Sequence, residues 1–207
     1  MVIYVYLFRI EYKQIYLQTY KNIIEYIRAI KVLELGQDRK IAALTINFYV
    51  HFYFGVIYMN IKYMNMAIEE AKKALLEDEV PVGCVIVKND EVKAKAHNKK
   101  ESMNKVTKHS EIIAIETASG VLNNWRLIDC DIYITLEPCP MCASAIKQAR
   151  INNIYCGLSN LDENNNKIIN EILKSDKVNK GVNVYNNIAV DKVKSIMQEF
   201  FQKQRKK

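Results

Sequence analysis

The sequence predicts a three-layer α-β-α sandwich with a mixed β-sheet over residues 64–207. Short apolar runs of strand character alternate with segments of helical periodicity in this part of the chain. One pair of runs is separated only by a turn, which is typical of a hairpin. The chain has 207 residues, half of them hydrophobic, which favours one domain with a sizeable core and an appendage over two full domains.

A helix and a β-hairpin open this domain. Apolar residues at helical spacing begin at Met64 and predict an amphipathic helix that ends before Pro81. The stretch "VGCVIV" at 82–87 is an apolar strand, and "KND" then supplies a turn. The stretch "EVKAKA" at 91–96 alternates in polarity and is predicted to return as an edge strand.

Helices and strands then alternate to the end of the chain. A second helix is predicted from about His109 to Ala118, with Gly120 as its C-terminal stop. The later elements are, in order, a strand at 131–136, a helix at 138–149, a strand at 152–157, a helix after an Asn-rich stretch, a strand at 181–186 and an amphipathic helix over 190–201.

Residues 1–63 form an N-terminal extension of different composition. They hold ten of the thirteen Tyr and none of the three Pro or five Cys. The segment at 41–58 approaches the length of a membrane span, but it contains an Asn and a His, and its aromatic residues are not gathered at its ends. We favour an over-extended reading frame, with a natural start at Met59, Met64 or Met66, over a membrane anchor or an added helical segment.

The overall composition is that of a folded cytoplasmic protein. Five irregularly spaced cysteines do not resemble the disulfide framework of a small secreted domain, and no secretory signal is expected. The net charge of +7 gives weak support for an acidic partner such as nucleic acid. The basic residues of the C-terminal tail either meet phosphates or form a solvated terminus; they are Lys203, Arg205, Lys206 and Lys207.

Two compact motifs carry the chemistry of the chain. "HSE" at 109–111 supplies one imidazole and one carboxylate, and "EPCPMC" at 137–142 supplies two thiols. His109, Cys139 and Cys142 are ligand types that zinc prefers, and three protein ligands leave a fourth position open, as in catalytic zinc sites. His109 and Glu111 can address one point only at a helix entrance, because residues two apart do not share a helix face. The sequence therefore predicts that both motifs lie at helix N-termini.

Each motif alone also has an ordinary explanation. A single Cys-x-x-Cys can be a redox pair or core packing, and His-x-Glu occurs by chance. The main alternative for the combination is a closed structural zinc site with Cys130 or Cys156 as fourth ligand. Cys84 and Cys156 lie in apolar strands, where they are better interpreted as small core residues.

The pattern His-x-Glu followed by Pro-Cys-x-x-Cys resembles the signature of the zinc nucleobase deaminases. The stretches "EVPVGCVIV", "AHNKKE", "NNWRLIDCDIYITLEPCPMCASAI" and "FFQKQRKK" resemble the bacterial tRNA-specific adenosine deaminases across nearly all of 64–207. The resemblance implies a cytidine-deaminase-like fold and hydrolysis of the wobble adenosine of a tRNA to inosine. It also implies a tRNA anticodon loop as partner, a homodimer and a cytoplasmic location.

The same resemblance assigns roles to five residues. It implies that His109, Cys139 and Cys142 bind one zinc ion per subunit and that Glu111 shuttles protons. It implies that Asn98 contacts the flipped nucleoside, although an Asn after a strand is equally typical of a turn.

The chain departs from the family pattern in two places, 105–108 and 158–166, where the family approaches RNA. Two other functions therefore stay open: deamination of a free base or nucleotide such as guanine or cytosine, and RNA binding by a zinc-stabilised domain without catalysis. The carboxylate of Glu111 argues against the second, because a purely structural zinc site does not need it.

Overall fold

The computed structural model describes residues 60–159, 163–175 and 182–206. Its main compact unit runs from Tyr63 to Lys207. The predicted extension lies outside the described residues except for its last few positions, as does the segment at 41–58. None of the helices in the described ranges combines the length and the apolar character that a membrane span requires.

Helices and strands follow one another much as the periodicity predicts. The described residues form helix α1 over 60–76, strands β1 (Gly83–Lys88) and β2 (Glu91–His97), helix α2 (Ser110–Val121), strand β3 (Cys130–Leu136), helix α3 (Pro140–Gln148), strand β4 (Asn153–Leu158), helix α4 (Glu163–Lys174), strand β5 (Asn183–Tyr185) and helix α5 (Val190–Gln204).

The five strands form one mixed sheet in the order β2-β1-β3-β4-β5. Strand β1 is antiparallel to both of its neighbours, whereas β3, β4 and β5 run parallel to one another. The parallel pairs are joined through helices α3 and α4, as parallel connections require. The predicted hairpin, edge strand and mixed sheet are confirmed.

Helices cover both faces of the sheet. Alternate residues of β1, β3 and β4, among them Ile86, Ile132 and Ile154, are buried in a core with residues of α2, α3 and α4. The opposite face packs against α1 and α5. There α1 comes so close to β1 that a Cβ atom on Gly83 would lie 2.0 Å from the carbonyl oxygen of Ala67. Only glycine fits at this crossing.

Two element boundaries differ from the prediction. The first helix is already formed at residue 60, so Met64 lies inside it. Tyr63 is 2% exposed, its ring centroid lies 5.3 Å from that of Tyr133, and its hydroxyl donates to the carbonyl oxygen of Asp90. Gly120 does not end α2, because the helix continues to Val121 and its backbone has no positive φ at Gly120.

The segments that carry the motifs lie at one end of the sheet, where strands β2 and β3 finish. Strands β2 and β3 point in the same direction because each is antiparallel to β1. Their carboxyl ends therefore lie at the same end of the sheet, beside the start of β1. The segments after His97 and Leu136 consequently meet there, which places Asn98 near the cysteine motif.

Candidate active site

The three candidate zinc ligands lie at two helix N-termini, as predicted. His109 is the N-cap residue of α2 and Cys139 is the N-cap residue of α3. Pro140 occupies the first turn of α3, where its fixed φ suits a helix start and its missing N–H has no intrahelical role. Cys142 follows in the same turn, so both thiols are directed by one short and rigid piece of backbone.

The donor atoms have the spacing of a zinc site. His109 Nδ1 lies 3.8 Å from Cys139 Sγ and 3.6 Å from Cys142 Sγ, and all three donor atoms lie within 4.8 Å of one another. A tetrahedral zinc with ordinary bond lengths holds a nitrogen and a sulfur about 3.6 Å apart. The His-Cys-Cys group therefore fits zinc in both chemistry and geometry.

The protein environment favours a thiolate at this group. A hydrogen bond from Cys142 is the largest influence on Cys139 and, against the effect of burial, it lowers the pKa of the Cys139 thiol to about 5. The backbone N–H groups of Cys142 and Met141 contribute in the same direction. Free N–H groups at a helix N-terminus have this effect on cysteines generally.

The other cysteines stand apart from this group. Within the described part of the chain, neither Cys130 nor Cys156 joins the cluster of potential metal ligands. Both are fully buried in strands, as is Cys84. Burial raises the pKa of the Cys84 and Cys156 thiols, which is the behaviour of core residues rather than reactive ones. The structure therefore gives no support to Cys130 or Cys156 as a fourth zinc ligand.

Glu111 lies in the first turn of α2 with its side chain buried beside the cluster. It is 4% exposed, and burial raises the pKa of its carboxyl group. The hydroxyl of Ser110, itself fully buried, donates to Glu111 Oε2 over 2.9 Å. A protonatable carboxyl group in a largely dry site is suited to general acid and base chemistry.

Asn98 also reaches this site. It follows β2, is 5% exposed, and its backbone N–H donates to the carbonyl oxygen of Val82. Its side-chain Nδ2 donates to Glu79 Oε2 over 3.0 Å. The turn interpretation of Asn98 is therefore incomplete, because the side chain is fixed at the rim of a pocket.

A pocket of about 230 Å³ opens beside the cluster. It brings together one candidate ligand from each motif, the Glu111 carboxylate and several apolar side chains. The lining residues are Val80, Val82, Asn98, Lys100, His109, Glu111, Leu136, Glu137 and Cys139. An apolar pocket with a few convergent polar groups is typical of a small-molecule or single-base site.

Sequence reasoning missed three polar residues of this region. Ser110 contacts Glu111, and Glu137 lines the pocket. Glu79 is fully buried and accepts hydrogen bonds from Asn98 and from two backbone N–H groups. A glutamate between a helix and a strand ordinarily lies on the surface, so neither periodicity nor motif spacing distinguishes Glu79.

Residues 59–205 match the family of MafB19-like deaminases. Two curated relatives are similar over most of their own length. The tRNA-specific adenosine deaminase of Streptococcus pyogenes serotype M18 (strain MGAS8232) is 37% identical over 145 residues, which cover 70% of this chain and 91% of the relative. The tRNA-specific adenosine deaminase of Bacillus subtilis (strain 168) is 35% identical over 145 residues, which cover 70% and 90%.

A solved structure has the same fold. It comes from a study of A-to-I editing by tRNA:A34 deaminases at the wobble position of transfer RNA. It superimposes with a TM-score of 0.60 at 34% sequence identity, covering 66% of this chain and 99% of the solved one. The predicted cytidine-deaminase-like fold is confirmed.

Proposed function

Because this chain belongs to the deaminases, and among them to the tRNA-specific adenosine deaminase family, we propose that it converts the wobble adenosine of a tRNA to inosine in the pocket beside His109. The net reaction consumes one water and releases one ammonia. The observation that carries the proposal is the convergence of His109, Cys139 and Cys142 beside the buried carboxylate of Glu111. The identity to the named relatives supports the choice of adenosine in tRNA over a free base.

His109, Cys139 and Cys142 would hold one zinc ion per chain. Zinc bound by three protein ligands acts as a Lewis acid that brings the pKa of a water in its open position towards neutrality. The chain would supply two cysteine sulfurs and one histidine nitrogen for this purpose. Their positions at the starts of α2 and α3 give the site little freedom to rearrange.

Glu111 would move the protons of the reaction. Its carboxylate takes a proton from the attacking water and passes it to a ring nitrogen of the purine, while the water oxygen adds to C6. The second proton reaches the amino group through the same carboxylate, and ammonia leaves as the C6 carbonyl of inosine forms. Because burial raises the pKa of Glu111, its carboxyl group is suited both to accept a proton and to return it.

Asn98 would hold the flipped nucleoside against the pocket. Sequence-specific RNA proteins reach unpaired bases in loops, where extrusion costs only a few kcal/mol. The wobble position lies in such a loop. By the family resemblance we further infer that the protein acts as a homodimer in the cytoplasm.

A comparison of substrates tests this proposal. An anticodon stem-loop with adenosine at the wobble position, free adenosine, guanine and cytidine are incubated with the zinc-loaded protein, and products are separated by liquid chromatography. We expect inosine in the stem-loop at a rate at least about a hundredfold above any free compound. Raising salt should slow only the stem-loop reaction, because phosphate contacts weaken. Efficient turnover of a free base, with none of the stem-loop, would contradict the proposal.

A further inference from the structure

Glu79 is an acidic side chain with no solvent exposure that lies beside the pocket. It lies between α1 and β1 and is 0% exposed. Its Oε2 accepts from Asn98 Nδ2 over 3.0 Å and from the N–H of Glu101 over 3.2 Å, while Oε1 accepts from the N–H of Ser102 over 2.7 Å. A buried carboxylate is costly unless its oxygens are satisfied, and here they are.

These hydrogen bonds keep Glu79 ionised. Burial alone would raise the pKa of its carboxyl group, but the hydrogen bonds from Ser102, Glu101 and Asn98 together hold it below its ordinary value. An ionised carboxylate can only accept hydrogen bonds. It therefore requires Asn98 to present its NH₂ group to Glu79.

This requirement fixes the orientation of the Asn98 amide. With Nδ2 bound to Glu79, the carbonyl oxygen Oδ1 is the atom of Asn98 that is left to accept a hydrogen bond from a ligand. Asn98 lines the pocket, and in the described residues Oδ1 makes no hydrogen bond with the protein. The amide therefore offers the ligand an acceptor whose direction is set before binding.

We propose that Glu79 is a positioning residue that holds the Asn98 amide with its carbonyl oxygen towards the pocket, and that fixes the following turn through the N–H groups of Glu101 and Ser102. This inference rests on the proposed function, because it assigns the amide to a substrate. Glu79 acts through Asn98 and is not among the residues that line the pocket.

Exchanging the donor and the acceptor of the pair tests this role. Glu79→Gln replaces one of the two acceptor oxygens with an NH₂ group. That group faces either the Asn98 NH₂, which turns Oδ1 away from the ligand, or the N–H of Ser102, which releases the turn after Asn98. Asn98→Asp places two carboxylates against each other. In Glu79→Gln/Asn98→Asp, the new amide donates to the new carboxylate, whose second oxygen again faces the pocket as an acceptor.

The measurement is kcat/KM on the wobble-adenosine stem-loop, per mole of bound zinc, for all four proteins. We expect each single variant to lose about tenfold or more, which is the effect of one charge-assisted hydrogen bond. The double variant should recover to within about threefold of the wild type. A double variant no better than the poorer single variant would overturn the proposal, as would a Glu79→Gln variant as active as the wild type.

Glu70→Gln is the matched control. Glu70 is also a buried glutamate, 6% exposed, but it contacts His97 and Lys73 and does not line the pocket. Glu70→Gln should keep kcat/KM within about threefold, and adding it to Asn98→Asp should bring no recovery. Recovery by Glu70→Gln as well would show a general charge effect and overturn the specific pairing.

A second pair of variants covers the case in which Glu79→Gln does not fold. Glu79→Asp keeps the charge but is too short to reach both Asn98 and Ser102. In combination with Asn98→Ala, Glu79→Asp should lower kcat/KM by a smaller factor than it does alone, because part of its effect acts through Asn98. Additive losses would overturn the proposal. A wild-type protein that leaves the stem-loop unchanged would instead contradict the proposed function itself.

Discussion

Cys139 and Cys142 meet His109 because two helix starts face the same point. The N-cap position of α3 directs one thiol, and the third helical residue directs the other. His109 occupies the equivalent N-cap position of α2. At the start of α3 the helix dipole and the free N–H groups favour negative charge. They contribute to the lowered pKa of the Cys139 thiol, which donates one of the thiolates that zinc requires.

Removal of either thiol should therefore remove the metal. We expect about one zinc per chain in the purified protein, and close to none in Cys139→Ala or Cys142→Ala, as measured by inductively coupled plasma mass spectrometry. The unfolding temperature should fall by about 10 °C or more, because bound metal stabilises the folded state. Cys156→Ala is the control: it should keep its zinc, since its thiol lies in β4 away from the cluster. Retention of zinc by Cys142→Ala would refute the ligand assignment.

The sequence predicts the position of a site residue where its partner lies only a few positions away. His109 and Glu111 lie two positions apart, and Cys139 and Cys142 three, so spacing alone places each pair at a helix start. Glu79 and Asn98 are nineteen positions apart, and their contact exists only once β1 and β2 have paired. No local pattern encodes such a contact, which is why Glu79 was not predicted.

At the scale of elements, helix α1 shows where periodicity is insufficient. The apolar spacing from Met64 onwards indicates the helix correctly, but Tyr63 also belongs to its buried face. Its ring packs on Tyr133, which stacks in turn on Tyr155 with centroids 4.5 Å apart. A tyrosine at the end of a tyrosine-rich segment carries no signal that it is buried. The predicted helix therefore starts at Met64, four residues after residue 60, where the helix is already formed.

The start of the chain therefore matters for stability. A chain beginning at Met59 should bind zinc and deaminate as well as the full chain, because it keeps the whole unit from Tyr63 onwards. A chain beginning at Met64 should unfold about 10 °C lower, since loss of a buried aromatic ring costs about 3–5 kcal/mol. Tyr63→Ala in the longer chain should reproduce that loss. Equal unfolding temperatures, followed by circular dichroism, would contradict this account of α1.

The C-terminal end of helix α2 also differs from the prediction. Glycine often ends a helix in a left-handed conformation, which is why the sequence predicts a helix stop at Gly120. In the structure Gly120 lies within the last turn of α2, and a Cβ atom there would meet nothing within 4 Å. The helix instead ends at Val121. Its C-cap residue is Leu122, whose N–H donates to the carbonyl oxygen of Ala118.

At the scale of the whole molecule, topology assembles the site. Strands β2 and β3 finish at the same end of the sheet, because β1 lies between them and is antiparallel to both. The layers and the mixed sheet follow from the alternation of strands and helices, so they could be predicted. The strand order could not be predicted, because near-continuous apolar strands such as β1 and β4 do not specify their neighbours.

The net charge of the molecule says less about RNA binding than the arrangement of residues around the pocket does. Lys203, one of the basic tail residues, donates a hydrogen bond to Asp78 and is thus engaged within the protein. In the divergent stretch at 105–108, residues 105–107 are exposed and precede α2. In the divergent stretch at 158–166, residues 160–162 lie outside the described residues. The effect of both stretches on RNA preference stays a prediction, and phosphate contacts will be distinguished best by the salt dependence of turnover.

The most direct test of the account is inosine formation by the wild type and by Glu111→Gln at equal zinc content. Both proteins are incubated with the wobble-adenosine stem-loop, and inosine at that position is quantified by mass spectrometry of nuclease fragments. We predict conversion by the wild type and a loss of at least about a thousandfold in Glu111→Gln, with one zinc retained per chain, because the carboxylate moves protons and is not a ligand. Inosine formed at the wild-type rate by Glu111→Gln, or none formed by the zinc-loaded wild type, would contradict it.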